Sequence, residues 1–260
     1  MANWNDNRAT RQGFGVSPSQ AGDVARGTTF DAGLRKHMLS IYNYMASGVL
    51  LTGVVAMLLA RAGLAGGAIM IIGMLGSLGV VFAMSFGQNK FSTGTLQAMF
   101  WGYAVLMGMF LSSIFLQYTG ESIATTFFAT AGAFAGLSLW GYTTKKDISG
   151  WGSFLGMGVI GLLLAMLFNF GWAFFTGAPI SGLSIAISFI GVLIFAGLTA
   201  YDTQRLKSEY LAIQQAKVTN PGVAAAYPLG KMVIMGALSL YLDFINMFLF
   251  LLRFMGAARD

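Results

Sequence analysis

The sequence contains no cysteine, which excludes disulfides, thiol catalysis and Cys-ligated metals. Charge is nearly as scarce: 9% of the 260 residues are charged, against roughly 25% in a soluble domain. What charge there is lies in the tails and connections, leaving no room for a separate soluble enzymatic domain, and the chain reads as a non-enzyme. The net charge of +6 raises nucleic acid as a partner. The basic residues flank apolar runs, however, where membrane orientation accounts for them, and no nucleic-acid partner is expected.

What fills the chain is hydrophobic residues, 56% of the total, together with 35 glycines. A membrane span needs about 20 apolar residues, and seven runs qualify: 38–60, 64–86, 95–118, 123–142, 151–175, 183–201 and 231–252. Such uninterrupted runs predict helices, because barrel strands would alternate with period two. The fold class is therefore an all-α polytopic membrane protein with seven transmembrane helices. Residues 1–32 are polar, without an apolar period, and read as a mobile tail; residues 33–260 form the membrane domain. The tail lacks the apolar core of a cleaved signal peptide, so the first span is expected to serve as the insertion signal. Gly73, Gly76 and Gly79, and Gly132 with Gly136, recur at spacings that put them on one helix face, the pattern of close helix packing.

Placing the N-terminus in the cytoplasm puts twelve of the fifteen Lys and Arg residues inside and only Arg61, Arg253 and Arg259 outside. The two basic residues at the C-terminal end pull the other way, which leaves a re-entrant last helix open.

Two acids interrupt this apolar pattern. Asp202 lies in Ala-Tyr-Asp-Thr-Gln-Arg (200–205) and Asp243 in Leu-Tyr-Leu-Asp-Phe-Ile-Asn (240–246). A carboxylate in hydrocarbon costs roughly 3 kcal/mol on insertion scales, so it faces a partner, water or an ion path. No Gly or Pro interrupts residues 198–220, so the sixth span is expected to continue as helix to the turn at Asn220-Pro221-Gly222. Counted back from Asn220, Asp202 sits about 27 Å down one helix, and counted from Pro228, Asp243 sits about 22 Å along the next. Packed antiparallel, the two carboxylates share a height within one turn.

Two carboxylates in contact cannot both ionise cheaply, so one keeps its proton. Protonated, the pair shares a hydrogen bond and holds two helices together; deprotonated, it repels and attracts a hard cation. Calcium needs six to eight oxygens, so water, backbone carbonyls or Asn246, three residues after Asp243, must assist. A structural reading stands beside this one: Arg205 at i+3 makes Asp202 a local ion-pair partner, and Asp243 is a hydrogen-bonded member of the bundle. Other candidates read as structural. His37 is expected at the interface, beside Arg35 and Lys36. The methionines, Met70, Met74, Met107 and Met109 among them, are expected in packing rather than copper ligation. Trp101, Trp151 and Trp172 read as interface anchors, and Asn169 as helix glue or a pore-lining group.

At the two aspartate motifs, in its seven spans and in its polar N-terminal tail, the chain resembles the Bax inhibitor-1 family, also called the transmembrane Bax inhibitor motif family, and more closely its bacterial branch. The resemblance covers nearly everything after Gly33. It implies a bundle whose last helix is central, surrounded by the other six, and an inner-membrane, pH-sensitive calcium leak with Asp202 and Asp243 as a di-aspartyl proton sensor and tentative calcium site. Calcium is the implied cargo, and no cofactor is expected. A basic latch from the second helix has no counterpart, since 64–86 contains no Lys, Arg or His; Arg205 or Lys231 is the substitute. The alternative is a membrane interaction protein that regulates a membrane protease or stress survival without conducting. An intramembrane aspartyl protease is set aside, because the second acid sits in Tyr-Leu-Asp-Phe rather than Gly-x-Gly-Asp.

Overall fold

A computed structural model describes residues 18–219 and 228–257, with side chains from residue 32 onward. The described chain is helical: α1 (Pro18–Arg61), α2 (Gly67–Gly87), α3 (Thr93–Leu111), α4 (Ile114–Gln117), α5 (Gly120–Thr143), α6 (Trp151–Thr176), α7 (Ser181–Thr219) and α8 (Leu229–Met255). Among the described residues seven segments are long and apolar enough to cross a membrane, α3 and α4 together forming one of them. Residues 1–17 of the expected tail lie outside the described residues, and the backbone of α1 begins at Pro18, inside the segment read as tail.

Local chemistry sets the breaks. The third expected span divides at Ser112 and Ser113, whose hydroxyls donate back to the carbonyls of Met109, 2.7 Å, and Phe110, 2.9 Å. Such back-bonding competes with the helical ladder and bends it. Ser92 and Thr119 cap α3 and α5 by accepting from the N–H groups of Thr95 and Ser122. As expected from the absence of breakers, α7 runs 39 residues to Thr219; the turn itself, 220–227, is outside the described residues.

The last helix is central. Of its most apolar 18-residue window, 67% is buried inside the bundle, against 17% for α2 and for α6. Four helices surround it: α1, α3, α5 and α7. Here the structure departs from a ring of six, because α2 packs on α3 and α6 on α7, leaving both on the outside. Leu240 and Tyr241 are fully buried, and the Tyr241 hydroxyl meets Thr52 Oγ1 of α1 at 2.6 Å. Thr52 in turn donates to the Ala104 carbonyl of α3, 2.8 Å. Large apolar side chains such as Phe86, Phe154 and Phe170 point outward, as a hydrocarbon surround requires. α8 is one uninterrupted 27-residue helix, about 40 Å long, and is not re-entrant.

Glycine matters where helices touch most closely. A Cβ at Gly73 would strike the backbone of α3 at Phe110, and one at Gly141 would strike the Ala200 carbonyl of α7. Gly76 faces Leu106, but Gly79, Gly132 and Gly136 have open space around them. The spacing therefore marks a contact at Gly73 and Gly76, and none at Gly79, Gly132 or Gly136.

Candidate functional site

The α7–α8 interface brings the two acids together. Asp202 on α7 and Asp243 on α8 are both buried, and the Asp243 carboxyl lies within side-chain hydrogen-bonding reach of Asp202. Its Oδ2 atom is buried without a hydrogen-bond partner. The helix count from the connecting turn anticipated a shared height, and the inward azimuth follows from the cost of a carboxyl group in lipid.

Asp202 is the partnered member of the pair. Arg205 Nη2, one turn along α7, is 3.3 Å from Asp202 Oδ1. The Ser239 hydroxyl of α8 donates to Asp202 Oδ2 and accepts from Arg205 Nη2 at 3.2 Å. Ser239 thus bridges acid and base across the helix interface. Arg205 Nε lies 3.6 Å from Glu209 Oε1, an ion pair beyond hydrogen-bonding distance. The local Asp202–Arg205 ion pair and the Asp202–Asp243 contact therefore coexist. Ser239 stands four residues before Asp243, on the same face of α8; that spacing was the available signal for it, masked because a serine in a span is unremarkable by itself.

Three residues expected near the pair or at the surface are placed elsewhere. The Asn246 amide donates to the Leu242 carbonyl of its own helix, 2.8 Å, satisfying the backbone rather than the acids. Lys231 donates to the Gln88 carbonyl at the α2–α3 turn, 3.2 Å, so of the two bases weighed as latch only Arg205 reaches the pair. His37 is buried rather than at the protein surface: its ring stacks on Tyr210 at a centroid distance of 4.7 Å, because the extended α7 overlies this end of α1. Asn169 is glue. It donates to Ser184 Oγ, 2.8 Å, and accepts from the Ile180 N–H, 2.9 Å, fastening the α6–α7 connection.

The rest of the first motif also has structural work. Gln204 accepts from the Ile148 N–H, 2.9 Å, and donates to the Lys146 carbonyl, 2.8 Å, so it clamps the α5–α6 connection to α7. In that connection Asp147 accepts from the Ser149 N–H, 2.9 Å, which holds its carboxyl below the usual carboxylate range. Tyr201 packs over Gly152 at the start of α6. Among the described residues no group of three or more His, Asp or Glu could enclose a metal, so any cation at the pair meets two carboxyl groups, a hydroxyl and water.

Comparison with known proteins agrees with this architecture. A family model described as inhibitor of apoptosis-promoting Bax1 matches residues 34–260. The inner membrane protein YbhL of Escherichia coli strain K12 is 43% identical over 234 residues, covering 88% of this chain and 94% of its own. The RP147 protein of Rickettsia prowazekii is 43% identical over 247 residues, covering 91% and 96%. A Caulobacter vibrioides protein is 41% identical over 244 residues, covering 88% and 92%. A match of this extent, joined to seven membrane-crossing helices around a central last one, makes the chain a member of the Bax inhibitor-1 family.

Proposed function

We propose that this protein is a pH-sensitive, calcium-permeable leak of the bacterial inner membrane, with its N-terminus in the cytoplasm, gated by the protonation of Asp202 and Asp243. The observation that carries the reading is the placement of two buried carboxyl groups within hydrogen-bonding reach across one helix interface. The location is supported by YbhL, whose name describes an inner membrane protein, and the orientation by the excess of basic residues in the connections on one face.

With one proton on the pair, Asp202 carries the charge that Arg205 and Ser239 hold, and Asp243 supplies the proton of the shared hydrogen bond. This state keeps α7 and α8 together. Loss of the proton sets two negative groups against each other inside the bundle, parts the helices and creates a doubly negative site. Calcium takes six to eight oxygens, and the pair with Ser239 offers only part of that shell. The ion therefore keeps several waters and is held weakly enough to leave, as conduction requires. On this mechanism flux rises as pH rises through the loss of the shared proton.

Calcium entry into liposomes carrying the purified protein, read with an internal dye across a pH series, tests the proposal. The wild type should respond to pH, and Asp202→Asn and Asp243→Asn should each flatten the response. A flux indifferent to pH and to both substitutions would remove the gate.

A further inference from the structure

An open crevice of about 870 Å³ lies between the end of α2 and the facing surfaces of α7 and α8. It exists because α2 packs along α3 and makes no extended contact with α7 or α8. Its lining is graded. Arg205, Lys231, Gln88 and Asn89 are at its polar side, and Met235 and Leu242 are among its apolar residues on α8. Lys231 and Leu242 are eleven residues apart on one helix, about 16 Å along the axis. That is the depth over which a bilayer passes from headgroup to acyl chain.

The charged lining of the crevice is two basic side chains, Arg205 and Lys231, and one acid, Glu209. Lys231 has no carboxylate partner among the described residues, and its ammonium group meets only the Gln88 carbonyl, 3.2 Å, which leaves two of its three N–H donors. The Arg205 side chain, 39% exposed, lines the same crevice, with Asp202 at 3.3 Å and Glu209 at 3.6 Å from its guanidinium. Two cationic side chains above an apolar wall match an anionic oxygen group attached to a hydrocarbon chain. Basic pockets between transmembrane helices take lipid headgroups in this way.

We propose that the crevice is a binding site for an anionic phospholipid, whose phosphate meets Lys231 and Arg205 while an acyl chain lies along Met235 and Leu242. The site stands whether or not the aspartate pair conducts.

Native mass spectrometry of the full chain in detergent, with added phosphatidylglycerol, phosphatidylcholine or inorganic phosphate, tests it. Phosphatidylglycerol should be retained about tenfold over phosphatidylcholine, the value of one charge-assisted contact of about 1.4 kcal/mol. Lys231→Gln should bring the two lipids to near parity, whereas Lys145→Gln, in the exposed α5–α6 connection, should preserve the preference. Met235→Trp, which fills the apolar wall and leaves both charges, should lower retention of phosphatidylglycerol, so the result does not hang on one variant. Equal retention of the two lipids by the wild type, or a preference untouched by both Lys231→Gln and Met235→Trp, would overturn the proposal. Lysine-dependent capture of inorganic phosphate without a lipid preference would also overturn it, leaving a site for a free anion.

Discussion

Asp243→Asn isolates the electrostatic core of the mechanism, because it keeps the side chain's shape and removes one charge. If both acids ionise at a hydrogen-bonding separation of about 3 Å, their repulsion at an effective dielectric constant of 20 is about 5 kcal/mol. Arg205 offsets part of this, but it sits on Asp202, at 3.3 Å, and its side chain is 39% exposed. Solvent therefore screens its help to the wholly buried partner. Taking half the repulsion as uncompensated leaves about 2.5 kcal/mol, which at 2–4 °C per kcal/mol is about 5–10 °C in Tm. Raising the pH from about 6 to about 9 should lower the wild-type melting temperature in detergent by this amount and leave Asp243→Asn flat, since the Asn amide can donate to Asp202 at any pH in the range. Liposome flux should lose its pH dependence in the same variant. Parallel melting curves for wild type and variant across the series would refute the reasoning, by showing that the second carboxyl never carries a charge that matters.

Three other outcomes follow from neighbouring contacts. Ser239→Ala removes the hydroxyl that joins Asp202 to Arg205; it should destabilise the protein by about 1–2 kcal/mol and weaken the α7–α8 link, readable as a lower Tm and a higher basal flux at acidic pH. Gln204→Leu releases two hydrogen bonds to the α5–α6 connection. In this cysteine-free chain, a single Ser149→Cys should then react faster with a maleimide than it does with Gln204 in place. Gly141→Val drives a side chain into the Ala200 carbonyl and should cost about 1–3 kcal/mol or more, whereas Gly132→Val, at an open position, should change Tm little; equal effects of the two would contradict the helix contact.

The seven crossings were legible because a run of about 20 apolar residues has few alternatives in a bilayer, and the reach of α7 to Thr219 because nothing before Asn220 breaks a helix. Counting residues along a helix gives height. It does not give the direction in which a side chain faces, and the failures share this cause. Gly132, Gly136 and Gly141 all belong to α5, yet only Gly141 faces another backbone. His37 was read from its basic neighbours at the end of a span, while its burial depends on Tyr210, 173 positions later in the sequence (210 − 37), arriving on the overhanging part of α7. Asn246 lies three residues from Asp243, near in height, but its amide turns back to Leu242. The aspartates escaped this ambiguity for a physical reason. Their height followed from the turn between α7 and α8, and their direction from the expense of exposing a carboxyl group to hydrocarbon. A residue type that tolerates only one surround carries its own azimuth, so charge inside a span can be placed from sequence where glycine, methionine or serine there cannot.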